Sequence, residues 1–174
     1  MRYRYRLALR LSIALLATAF GIKLIYPIIS PITFYFSYYS VSFLSPKLIN
    51  STSFAIENIT LIFIPACAAA SAYILLIILI ATVDIKLKKM LNVLIAGSLL
   101  ILIANIIRID ILIIALVKYS SNLFNTLHLF FWKILSTIYV VLLWIFLTKK
   151  FKIKDIPVYT DFRRVLEIYK KSKN

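Results

Sequence analysis

Leu61-Ile62-Phe63-Ile64-Pro65-Ala66-Cys67-Ala68-Ala69-Ala70-Ser71-Ala72 begins an apolar run that continues to Val83 and holds the chain's one cysteine. At about 1.5 Å per residue, the run is long enough as a helix to cross roughly 30 Å of hydrocarbon. Pro65 supplies no amide proton and disturbs the helical ladder near one end, while the alanines let a neighbouring backbone come close. On helical geometry Cys67 lies about 9 Å below Leu61, and Ser71, four residues on, shares its face. Taken alone, Cys67 reads most simply as an inert thiol in a small-residue packing face. A single cysteine also excludes an internal disulfide and a multi-thiol metal site.

Three further runs, 7–29, 93–117 and 127–148, have the same length and character. Of 174 residues, 63% are apolar and two are glycine, far from the make-up of a soluble domain. The mean hydropathy is +0.96. Together these predict an all-α, polytopic membrane helix bundle with about four transmembrane helices over 1–148 and a basic cytoplasmic tail over 149–174. No internal repeat is visible, and no soluble domain remains outside the spans.

The net charge of +15 raises nucleic acid as a partner, and the positions of the charges argue against it. Of the 21 Lys and Arg, most fall in three stretches: Arg2 to Arg10, Lys86 to Lys89, and Lys149 to Lys173. The loops on the other side hold only Lys47 and Lys118. That asymmetry reads as positive-inside, with both termini cytoplasmic, and as attraction to anionic lipid rather than to nucleic acid. The first run follows a basic segment, as a signal peptide does, but it is long and ends in Tyr26-Pro27 and Ser30-Pro31 without a small-x-small site; an uncleaved anchor is expected. Lys23, near its outer end, reads as a snorkelling side chain.

Residues 32–60 differ in kind. Thr33-Phe34-Tyr35-Phe36-Ser37-Tyr38-Tyr39 is dense in aromatic rings, which suit the headgroup layer, and predicts an interfacial or re-entrant segment on the outer side. Asn50-Ser51-Thr52 and Asn58-Ile59-Thr60 fit the glycosylation pattern, a weak sign for the same orientation.

Arg108 is the strongest anomaly, standing about 13 Å below the outer end of its run at Val117. At that depth an arginine costs at least about 2.5 kcal/mol, which demands a structural or chemical role. Gly97, Ala104 and Arg108 share one helical stripe, so the packing face is also the arginine's face. Asn105 lies on the adjoining stripe and is expected to hold the guanidinium through its amide. Asp110 projects nearly opposite to Arg108, which disfavours a pair within the helix.

The loop Lys118 to Asn122 leads to Asn125-Thr126-Leu127-His128, in which Asn125 or Thr126 is the expected helix cap and His128 falls in the first turn. Alone, His128 reads as an interfacial side chain, and Lys133 as a group reaching for headgroups. Yet helices of alternating direction leave Cys67, Arg108 and His128 in one leaflet.

With these residues in view, the chain resembles the exosortase/archaeosortase family of membrane transpeptidases. The resemblance lies in Pro65-Ala66-Cys67-Ala68-Ala69, in Asn105-Ile106-Ile107-Arg108 as an Asn-x-x-Arg motif, and in His128 at the start of the next span. It covers about 61–144. Ala69 stands where many members have glycine or serine, and four spans are fewer than many members have. The resemblance implies substrate proteins whose C-terminal tail carries a short motif, a transmembrane helix and a basic cluster, cut outside the membrane and joined to a lipid amine or released to water.

The residues carry that chemistry on their own terms. A thiol in apolar surroundings stays protonated unless a cation is near, and Arg108 is the expected cation. Its planar donors suit a thiolate or an oxyanion, and it cannot act as a base. His128 is the expected acid and base, Asn105 and Ser71 the supporting residues, and no cofactor or metal is called for. A non-enzymatic membrane subunit or small transporter component, in which Arg108 binds an anion or a partner helix, fits the same residues. In the tail, Thr160 or Asp161 is expected to cap a short amphipathic helix, with Phe162, Val165, Leu166 and Tyr169 on its lipid face.

Overall fold

The computed structural model describes residues 2–153. The tail helix expected after Thr160 lies outside them.

The first helix, α1 (Arg2–Ser40), does not stop at the prolines. Pro27 and Pro31 lie inside it, and it continues through the aromatic stretch to Ser40. Each proline removes one ladder bond, which a helix among apolar neighbours tolerates. The expected interfacial or re-entrant segment is therefore corrected: Thr33 to Tyr39 forms the last turns of α1, with Thr33, Phe34 and Ser37 buried.

Beyond a 3-10 turn at Ser42–Leu44 the chain forms three short strands: β1 (Lys47–Asn50), β2 (Ser53–Ile56) and β3 (Ile59–Ile62). They make one antiparallel sheet in the order β1-β2-β3, so the all-α expectation is also corrected. Glu57 and Asn58 form the two-residue turn between β2 and β3, with Glu57 at φ 53°. Phe54 and Ile56 of β2 point down onto Phe34, Phe63 and Ile109, an apolar cluster beneath the sheet. Phe34 meets the Phe63 ring edge-on at 5.2 Å between centroids.

The run 61–83 is not one helix. Leu61 and Ile62 belong to β3, Pro65–Ala68 is a 3-10 turn, and only α2 (Ala70–Ala81) is α-helical. Its 12 residues span about 18 Å, short of the hydrocarbon thickness. α2 packs against α1, α3 (Leu87–Lys118) and α5 (Ser136–Lys150). Gly21 and Gly97 permit the approach: an added Cβ would stand 2.8 Å from Ile74 Cγ1 at the first and 2.7 Å from Leu76 Cδ2 at the second.

The last run is one continuous rod: α4 (Ser121–Phe130), a π-helical segment (Phe131–Leu135) and α5. It starts before the expected cap, because Ser120 Oγ accepts from the Leu123 amide at 3.2 Å. Three helices are long and apolar enough to cross a membrane, Leu7–Ser40, Leu87–Lys118 and Ser121–Lys150, which marks the chain as a membrane protein. Leu9, Leu15 and Leu24 on α1 are exposed, as lipid-facing side chains are.

The bundle end away from the sheet is basic and braced. Arg10 Nε donates to the Ala81 carbonyl at 2.8 Å, closing the end of α2. Lys89 Nζ donates to the Lys152 carbonyl at 3.0 Å.

Candidate functional site

Cys67 sits where the sheet hands the chain to α2. Ile64 is extended (φ −108°, ψ 166°), Pro65 opens the 3-10 turn, and the Cys67 amide donates back to the Ile64 carbonyl at 2.8 Å. Proline suits that first position, since its fixed φ matches the turn and its missing N–H has no partner to lose. Ala69 closes the turn in the left-handed region (φ 51°, ψ 32°), which costs a non-glycine residue roughly 1–2 kcal/mol. The strain is held because β3 and α2 are both anchored elsewhere. Cys67 is thus not part of a straight helix. Its half-buried side chain packs against the cluster beneath the sheet.

This turn changes the supporting residues. Ser71 falls after the break at Ala69, is exposed, and lines neither cavity described below; the expected shared face with Cys67 is corrected. Asn105, 5% exposed on α3, donates through Nδ2 to the Cys67 carbonyl at 2.7 Å, in place of the expected bond to the guanidinium. Its Oδ1 is buried with no hydrogen-bond partner among the described residues. Asp110 accepts from Ser40 Oγ at 2.8 Å, which ties α3 to the end of α1.

Arg108 lies one turn above Asn105, half-buried. It also lines two cavities. One, of about 360 Å³, runs between α2, α3 and α5 past Ala69, Ala104, Asn105, Ser136 and Tyr139. The other, of about 290 Å³, is bounded by Arg108, Leu112, His128, Leu129, Phe131 and Trp132. Phe131, the first π-helical residue, belongs to both.

His128 lies in the last turn of α4, not the first, because the helix starts earlier. Its ring stacks on Phe124 at 5.7 Å with an interplanar angle of 28°. α3 therefore holds the Cys67 carbonyl through Asn105 and places Arg108, one turn on, in one cavity with His128, while no hydrogen bond links Cys67 to His128 among the described residues. Lys133 and Lys23 are exposed. Among the described residues no three His, Cys, Asp or Glu side chains come together as a metal site.

Sequence reasoning missed Thr33 and Ser37. Both are fully buried on α1, and both hydroxyls lack a partner among the described residues. The available signal was two small polar residues four apart inside an aromatic helix. It also missed the π-helical segment, which carries no proline or glycine to announce it.

Comparison with protein families, characterised proteins and solved structures gives no match.

Proposed function

We propose that the chain is a membrane-embedded cysteine peptidase or transpeptidase that cuts C-terminal sorting signals of secreted or surface proteins on the extracytoplasmic side. The observation that supports this reading is the reach of α3, which pins the Cys67 turn through Asn105 and, one turn on, brings Arg108 into a cavity shared with His128. In this reading Cys67 Sγ attacks the scissile carbonyl, forming a C–S bond as its proton passes to the His128 imidazole. The Arg108 guanidinium stabilises the thiolate and then the oxyanion. Collapse of the tetrahedral intermediate breaks the C–N bond, and His128 returns the proton to the leaving amine. A lipid amine or water then resolves the thioester.

The orientation belongs to the same proposal. The basic end of the bundle and both termini are cytoplasmic, and the sheet lies outside. α2 is then the fourth crossing, lengthened on the outer side by the Pro65–Ala68 turn.

A non-enzymatic subunit is the second reading, favoured by one observation: Cys67 lines neither cavity and packs instead against apolar rings. One experiment separates the two. The Cys67→Ala protein is expressed with the host's own surface proteins whose tails carry a motif, a membrane helix and a basic cluster. Loss of tail processing with normal insertion supports the peptidase; normal processing removes it.

A further inference from the structure

The sheet has two edges, and they differ. β1 carries the devices that guard an edge strand: Pro46 before it, Lys47 at its start, and a bulge between Leu48 and Asn50. β3, Ile59-Thr60-Leu61-Ile62, has no lysine, no proline and no bulge.

The register fixes which backbone groups that edge offers. Ile56 and Ile59 close the two-residue turn as a hydrogen-bonded pair, and antiparallel alternation makes Phe54 and Leu61 the next such pair. The bond from the Phe63 amide to the Thr52 carbonyl, 2.9 Å, confirms the phase. Thr60 and Ile62 therefore turn their N–H and C=O groups away from β2, toward the open edge. Both residues are exposed, and so is Ile64, which continues the extended line to within one turn of Cys67. Lipid tails cannot satisfy such groups, since they neither donate nor accept. The alternation of donor and acceptor is complementary to one kind of chain, another extended backbone.

We propose that the Thr60–Ile62 edge of β3 is a docking site for an extended peptide, which adds as a fourth strand and is led along Ile64 toward Cys67. This rests on the peptidase reading for its purpose: the strand is the recognition segment beside the scissile bond. Main-chain bonds hold it, and side chains alternating over the outer face select it.

The test separates docking from cleavage. A photoreactive library of acetylated, amidated decapeptides is offered to the full-length Cys67→Ala protein in lipid nanodiscs. Cross-links should map to residues 59–64 at about tenfold the level on β1, and captured peptides remade with single N-methyl groups should lose binding at alternate positions. Thr60→Pro and Ile62→Pro should abolish capture, because each removes an outward N–H that β2 does not use, while Leu48→Pro on β1 should leave it intact. Cross-links spread over the helices, a covalent dimer joined through β3, or indifference to N-methylation would overturn the proposal. Capture with processing retained in Cys67→Ala would sink the peptidase and leave the docking edge standing; Cys67-dependent processing without capture would do the reverse.

Discussion

Asn105 on α3 donates its side-chain amide to the backbone carbonyl of Cys67 at 2.7 Å, so the turn that carries the thiol is pinned by the helix that carries Arg108. The bond crosses from one element to another and is partly buried. Asn105→Leu keeps the volume and removes the donor, leaving a partly buried carbonyl unpaired at a loss of about 1 kcal/mol. Thermal unfolding in detergent should show that loss, and processing should fall further than the lost stability explains, because the Cys67 turn is freed from α3.

Arg108→Lys keeps the charge and loses the fork. A point charge on a flexible stem cannot serve thiolate and oxyanion in turn, so processing should drop about a hundredfold or more at equal expression. Near-normal turnover would leave Arg108 with a scaffold role only.

Gly97 marks the tightest approach of α3 to its neighbours, with Leu76 of α2 and Leu147 of α5 both within 3.1 Å of an added Cβ. Gly97→Ala asks only that leucine tips move. Gly97→Val adds branched bulk that they cannot clear, and should destabilise by about 1–3 kcal/mol in the same unfolding assay.

Ser120 caps α4 through Leu123. Ser120→Ala should cost about 1 kcal/mol and speed hydrogen exchange at the first amides of α4. His128, about two turns on, should keep its stacking on Phe124, and processing should change little.

Spans whose apolar stripe ran unbroken were legible in the sequence, and the Gly97–Arg108 stripe placed the arginine inward. The run 61–83 was misread because a continuous apolar stretch has no period to separate strand from helix. The β-branched Ile59, Thr60, Ile62 and Ile64 and the break at Pro65 were the discriminating residues, and hydropathy outweighed them. Thr33 to Tyr39 misled in the other direction: aromatic rings suggest an interface, yet Phe34 is buried by rings from the sheet that only tertiary pairing supplies. Asn105 was recognised as a holder of something, but its target depended on a 3-10 turn with a left-handed alanine that no local propensity favours. The expected meeting of Cys67 and Arg108 was argued from depth along each span, and the Cys67 span is not the helix from which that depth was counted.

The proposed peptidase requires that Cys67 be a thiol made reactive by Arg108 and open to the outer side. An impermeant thiosulfonate reagent applied to intact cells tests it directly, with the wild-type chain and the Arg108→Gln variant compared at equal surface level. The account predicts that Cys67 is labelled from outside and that the rate falls about tenfold or more in Arg108→Gln. A thiol that stays unlabelled in the wild type, or reacts equally in both proteins, would contradict it.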